Sequence, residues 1–233
     1  MLLTGPKSDL LIGKLTDKKT DNESFPWLSH KSIKLCGEDT RVLKVSYAGE
    51  KGFEIHVHNN SMKKIYDELV QHGENFNLIH FGMLALDSMR LEKNYRSWKS
   101  DLTSDYTMLQ SGLEKWIKFD KGNFIGKEAL KNEFDLGTSK KFVTLVVDDP
   151  EDNKPFGEPV YLSPVFAGDD YLGPIVSSGY GNRVKKSISM AILDDRNLNG
   201  LNDQLYIDVL GRKRKAYIVN EALYDPENLK LRS

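Results

Sequence analysis

Polar and apolar positions alternate along SYAGEKGFEIHVH, residues 46 to 58, as in a strand entered from a glycine turn. Phe53, Ile55 and Val57 fall on one face of that strand, and Glu54, His56 and His58 fall on the other. The apolar face belongs to a core. The second face is either solvent or the wall of a binding pocket. Upstream, a short helix begins near Pro6, and strand patterns cover roughly 31 to 36 and 41 to 47, so that the strand from Phe53 completes a hairpin. Downstream, Ser61 is placed to cap a helix with Ile65 and Leu69 at helical spacing, which Gly73 stops. GMLALDSMRLEK at 82 to 93 and GKEALKNEF at 126 to 134 read as two further helices.

From Lys141 the texture changes. FVTLVV, PIVSSGYG, SISMAIL, QLYIDVL and KAYIVN are β runs, separated by the turn-rich segments DDPEDNKPFGEP and NLNGLND. They predict a small antiparallel barrel or sandwich behind an α+β region, with the boundary near residue 136. Residues 1–136 and 137–233 are therefore expected to be separate domains. RKRK at 212 to 215 follows Gly211 and reads as a hairpin turn carrying solvated charge.

Composition narrows what such a chain does. Its 233 residues, 39% hydrophobic and 10% aromatic, suffice for one large or two ordinary cores. A formal charge of −1 gives no global field toward nucleic acid or an anionic membrane. The single cysteine, Cys36, excludes an intrachain disulfide framework and is expected to be a buried spectator thiol. No apolar run reaches membrane-spanning length, and Gly5 and Pro6 interrupt the first apolar stretch where a signal peptide would continue it. These features fit a cytosolic or matrix-like compartment.

Candidate chemistry is sparse. Glu54, His56 and His58 are metal-ligand types on one strand face, but a site needs a further ligand, and His30, His72 and His80 stand in no ligand motif, so no metal is expected. There is no Walker loop, and GEKGFE lacks the strand-to-helix glycine pattern of a dinucleotide site.

Five segments taken together resemble the aminomethyltransferase family, whose type member is the glycine cleavage T-protein: LTGPKS, VSYAGEKGFEIHV, ALDSMRLEKNYRSWKSDL, FIGKEAL and GPIVSSGYGNRVKKSISMAIL, in order and spacing. RLEKNYRSW, DYTMLQSGL and the ending LYDPENLKLR are most similar to the C-terminal, folate-binding half of dimethylglycine and sarcosine dehydrogenases. The resemblance implies a partial folate-binding α+β domain followed by a C-terminal antiparallel β-barrel, with the beginning of the family fold missing.

It also implies roles for particular residues. Glu54 matches the glutamate that binds the pterin of tetrahydrofolate, whose adjacent N–H and amino group one carboxylate can accept together. Tyr47 matches a tyrosine able to pack on the pterin, against the alternative of an ordinary strand aromatic. Arg90 matches an arginine of the folate site, against that of a surface arginine on a helix. Trp98 and Tyr95 either line the same cavity or pack in a core. The implied function is capture of a one-carbon unit by tetrahydrofolate to give 5,10-methylenetetrahydrofolate. FAD would belong to an upstream domain outside this chain. The alternative is a noncatalytic folate-binding or regulatory module. The family's catalytic aspartate lies before the covered region, and none of Asp87, Asp101 or Asp105 matches it. The chain alone is thus expected to bind folate weakly or not at all and to make no methylenetetrahydrofolate, and a self-associated dimer would shield its open side.

Overall fold

The computed structural model describes residues 1–148, 159–195, 198 and 205–232, and contacts divide the chain into two compact units. The turn-rich stretches at 148 to 159 and 197 to 203 lie almost entirely outside the described residues. The first unit comprises Met1–Lys93 with Leu223–Ser233, and the second comprises Asn94–Ala222.

The first unit opens with β1 (Leu2–Thr4) and α1 (Ser8–Ile12), followed by β2 (His30–Leu35), β3 (Glu38–Leu43), β4 (Gly52–Val57), α2 (Asn59–Gly73) and α3 (Met83–Glu92). The strands form one antiparallel sheet in the order β1-β4-β3-β2. Alternation decides its faces: Ile33, Leu35, Val42, Phe53 and Ile55 are buried with Leu11 and Ile12 of α1, and Ile65 and Leu69 of α2 complete the core. The predicted alternation along β4 is therefore present, with Glu54 and His56 facing away from that core.

Local chemistry moved several boundaries. The second predicted strand begins at Glu38 and ends at Leu43, because a two-residue turn at Cys36 and Gly37, both with positive φ, closes the β2–β3 hairpin early. Tyr47 consequently lies in a loop and not on a strand. Cys36 is half-buried at that turn, with burial pushing its thiol pKa up, and is not the buried thiol expected. The cap of α2 is His58, whose Nδ1 accepts from the Asn60 amide at 3.4 Å. Ser61 lies inside the helix and donates its hydroxyl to Glu38 at 2.5 Å.

In the second unit an irregular stretch leads through α4 (Lys127–Leu136) into β5 (Lys140–Val147), β6 (Pro164–Ala167), β7 (Asp170–Gly181), β8 (Lys186–Asp194), β9 (Leu205–Val209) and β10 (Arg212–Val219). These six strands close as an antiparallel barrel, β10-β5-β8-β7-β6-β9, which settles the choice between barrel and sandwich. Val143, Leu145, Val165, Ile175, Leu193, Ile207 and Ala216 fill the barrel core. The turn before β10 is Leu210–Gly211, so Arg212–Lys215 begin a strand. Arg214 is buried there, contrary to the solvated turn expected. The chain then returns to the first unit and ends in α5 (Leu229–Arg232).

The β6–β7 pairing carries a bulge opposite Gly173, where φ is +152° and an added Cβ would lie 2.1 Å from the Ile192 carbonyl oxygen. Backbone cannot yield as a flexible side chain does, so Gly173→Ala should cost about 3 kcal/mol or more. Gly168, also at positive φ but with nothing near its missing Cβ, should cost only about 1 kcal/mol as alanine. Urea unfolding of both variants checks this, and equal losses would contradict the close approach at Gly173.

Candidate functional site

The loop of residues 44–51 joins β3 to β4, and two buried lysines pin its ends. Lys44 is 2% exposed. Its Nζ donates to Asn22 Oδ1 at 2.6 Å and to the Thr20 carbonyl at 3.4 Å. The same ammonium lies 6.0 Å from the Phe25 ring centre and 5.7 Å from that of Phe53, a favourable cation–π setting. Burial, reinforced by the neighbouring charge of Lys51, lowers the Lys44 pKa. At the other end Lys51 pairs with Asp9 at 2.8 Å, and its carbonyl accepts from the Gly5 amide and the Ser8 hydroxyl. Tyr47 is half-buried between these anchors.

Glu54 lies three residues into β4, flanked across the sheet by Leu2 of β1 and Leu43 of β3. Its side chain is 42% exposed, and its Oε2 stands 3.4 Å from His56 Nε2. The carboxylate is thus held on the outward face with room to accept from a ligand. An open groove of about 1040 Å³ runs along β2, β3 and β4 and is lined by Ser32, Arg41, Leu43 and His56 among others. Glu54, Tyr47 and Arg90 do not line it. Among the described residues, no group of three or more His, Cys, Asp or Glu side chains is arranged to hold a metal ion.

Arg90 stands near the C-terminus of α3, with its side chain only 4% exposed and its Nε donating to Asp87 Oδ1 at 3.2 Å. It is therefore a buried, paired arginine and not one on the helix surface. Trp98 belongs to the second unit, is 76% exposed, and makes an isolated bridge with Leu102. Tyr95, also of the second unit, is half-buried.

Sequence reasoning passed over a polar cluster at the end of α3. Lys93 is buried, and its Nζ donates to the Asp225 carbonyl at 2.5 Å and to Asn228 Oδ1 at 2.8 Å, with the Asp225 carboxylate at 3.5 Å. Tyr224 donates its amide to the Glu92 carbonyl at 3.0 Å and its hydroxyl to Glu50. The Asp225 carboxylate also accepts from the amides of Leu229, Lys230 and Leu231 in α5. Burial alone would raise its pKa, but those amides and the Lys93 charge hold it below the ordinary value of 3.8. The only sequence signal for this cluster is the turn-forming DPEN at 225 to 228.

Comparison with known proteins agrees with this architecture. The family model described as the GCVT N-terminal domain matches residues 1–121, and that of the glycine cleavage T-protein C-terminal barrel domain matches residues 140–225. The chain belongs to the aminomethyltransferase, or glycine cleavage T-protein, family. It is 30% identical to an aminomethyltransferase of Thermoanaerobacter sp. (strain X514) over 96% of this chain and 59% of that protein. It is 29% identical to the mitochondrial dimethylglycine dehydrogenase of Homo sapiens over 95% of this chain and 25% of that one. With the mitochondrial sarcosine dehydrogenase of Mus musculus the identity is 26%, over 99% of this chain and 25% of the relative. The crystal structure of glycine cleavage system aminomethyltransferase T from Bartonella henselae shares the fold, with a TM-score of 0.80 at 19% identity over 97% of this chain and 59% of that one. The chain thus spans less than two thirds of the length of these relatives, from 59% down to 25%. No helix among the described residues is long and apolar enough to cross a membrane.

The Asp225 carboxylate gives a pH prediction. Its folded pKa is lowered, so its contribution is complete above the ordinary carboxylate value and is lost as pH falls through the lower folded value. Asp225→Asn should therefore cost about 2 kcal/mol near neutral pH. The gap to the parent should narrow below about pH 4. Urea unfolding of both proteins across this range checks it, and a gap that stays constant with pH would contradict the assignment.

Proposed function

We propose that this chain supplies the tetrahydrofolate side of a one-carbon transfer, as part of an aminomethyltransferase or of a dehydrogenase of the dimethylglycine and sarcosine type. The observation that carries the reading is Glu54: a carboxylate fixed on a strand, facing out of the core and incompletely engaged, in a chain whose two family matches run in order along its length. A carboxylate so held can accept the adjacent N–H and amino donors of a pterin as a pair. Tyr47, fixed between two anchored lysines, offers a flat ring at low entropic cost. Arg90 is held by Asp87 and brings a buried positive charge to the C-terminal end of α3, suited to a carbonyl or carboxylate of the ligand. In this proposal Trp98 keeps the folate-binding role that the family resemblance implies for it, and the domain boundary is kept near residue 136.

When bound, tetrahydrofolate would supply N5 as the nucleophile that takes the one-carbon unit and N10 as the group that closes 5,10-methylenetetrahydrofolate. In a dehydrogenase of this type, oxidation of the amine would belong to FAD held outside the residues of this chain. The part played by the described residues is to bind and orient. The three aspartates in the region are otherwise engaged: Asp87 with Arg90, Asp101 with the Ser97 amide and Ser100 hydroxyl, and Asp105 with the Thr103 hydroxyl. None of the three matches the family's catalytic aspartate, so none is assigned the proton of the transfer. Exposed Ile79, Met83 and Leu84 give the first unit an apolar surface, and the proposal includes a dimer in which a second copy covers it.

The chain alone is expected to bind tetrahydrofolate weakly or not at all. In a longer protein that carries this chain, Glu54→Ala should weaken tetrahydrofolate binding by about 2 kcal/mol, roughly thirtyfold. Tyr47→Ala should lose a similar amount and Tyr47→Phe less, since stacking survives loss of the hydroxyl. Calorimetric titration decides both, and unchanged affinity in Glu54→Ala would reject the reading. The purified chain should make no methylenetetrahydrofolate from formaldehyde or an amine donor. Turnover near that of a longer relative would show that a carboxylate within it does the work.

A further inference from the structure

The C-terminal segment of the first unit is separated in sequence from the loop and helix it touches by the whole of the second unit. We propose that residues 223–232 form a clasp that positions the ligand face, with Lys93 and Tyr224 as positioning residues. The proposal rests on the reading that Tyr47 and Arg90 meet the folate, and it concerns what holds their two segments in place.

Three contacts make the clasp. The stem of Lys93 crosses directly over Gly49: a Cβ added there would lie 2.3 Å from Lys93 Cγ and 2.7 Å from Cδ. Glycine at this point of the 44–51 loop is what lets the buried ammonium reach Asp225 and Asn228. Tyr224 then bridges the two ligand segments, with its amide on the Glu92 carbonyl, two residues after Arg90, and its hydroxyl on Glu50, three residues after Tyr47. The Lys230 ammonium sits 4.8 Å from the centre of the Tyr224 ring and steadies it. At the far end, Asn22 Nδ2 donates to the Arg232 carbonyl at 2.8 Å while its Oδ1 accepts from Lys44. The loop that carries Tyr47 is thereby tied to the same C-terminal segment at Glu50 and, through Asn22, at Lys44.

These contacts do more than complete a core. Tyr224 is half-buried, and loss of a single side-chain hydrogen bond changes global stability only slightly. Its effect falls on the freedom of the loop. A loop with one tether released opens locally, without unfolding the sheet beneath it. A ligand that needs the closed arrangement then binds more weakly by the fraction of time the loop is open.

The test is Tyr224→Phe in the whole 233-residue chain, which removes one hydroxyl and no packing. Amide hydrogen exchange without ligand should rise about tenfold in residues 44–51 and stay unchanged in the barrel strands, with the thermal midpoint nearly unmoved. Affinity for 5-formyltetrahydrofolate, a stable folate probe followed by NMR titration, should fall about three- to tenfold. Glu50→Gln, which keeps an acceptor without the charge, should give a smaller change in the same direction. Unchanged exchange at 44–51 in Tyr224→Phe overturns the clasp. So does raised exchange with undiminished affinity, when Glu54→Ala in parallel does lose affinity. If the parent chain does not bind the probe at all, the ligand-positioning role of the clasp falls, while the reading of Glu54 is decided in a longer protein that carries this chain. The exchange result then shows separately whether the segment restrains the loop. Lys93→Met serves as the stronger variant: it should raise exchange in the same loop, and a folded Lys93→Met protein with parental exchange there also overturns the proposal.

Discussion

An ammonium ion taken almost wholly out of water must find partners or lose its charge, and the first unit is arranged around that requirement at Lys93. Its side chain is 1% exposed, and an unpaired charge so placed would cost several kcal/mol. Compensation comes from a carbonyl, an amide oxygen and a carboxylate, all contributed by residues 225 to 228. Because the stem needs a path, residue 49 is glycine at φ +79°. Because the partners lie on the returning chain, the end of α3, the β3–β4 loop and the C-terminal segment have to assemble together. Lys44 and Lys51 repeat the device on a smaller scale, each fixing one end of the same loop through polar partners.

This arrangement separates two tasks. The apolar face of the sheet, packed under α1 and α2, supplies stability by ordinary burial of Phe53, Ile55, Ile65 and Leu69. The opposite face carries Glu54, and the 44–51 loop is held by charges and hydrogen bonds. A site of that kind is rigid only while its polar partners are complete, since a half-satisfied buried network is worse than none. The barrel of the second unit relies instead on an apolar interior closed on itself, and the constraint at Gly173 is steric. Family membership is carried by both units, as the two family matches show.

Period-2 alternation was strong enough in the sequence to place β4 and to put Glu54 on its outward face, while apolar β runs between turn-rich segments marked five of the six barrel strands. The sixth, β6, is the four-residue PVFA beginning at a proline, too short to show a period and recognisable only by its pairing with β7 and β9. The helix cap at His58 escaped notice because serine is the commoner cap, while the extended backbone at His58 and its ring nitrogen meet the same need. RKRK read as a turn because charge suggests solvent, yet Leu210–Gly211 makes the turn and alternation then buries Arg214. The buried lysines were the least legible. Lysine is counted with the surface, and the partners of Lys93 stand 132 and 135 residues away. Of the site residues, Glu54 was readable from alternation, whereas the burial of Arg90, the loop position of Tyr47 and the exposure of Trp98 depend on tertiary packing.

The central claim is that the outward face around Glu54, with the 44–51 loop and the end of α3, is where folate is met. Backbone amide shifts of the isotopically labelled chain, followed through titration with 5-formyltetrahydrofolate, test it most directly. The account predicts shift changes that saturate together and cluster at residues 45–55 and 87–93, and that disappear in the Glu54→Ala protein. Changes confined to the groove around Ser32, Arg41 and His56, or to the barrel, or changes indifferent to loss of Glu54, would contradict it.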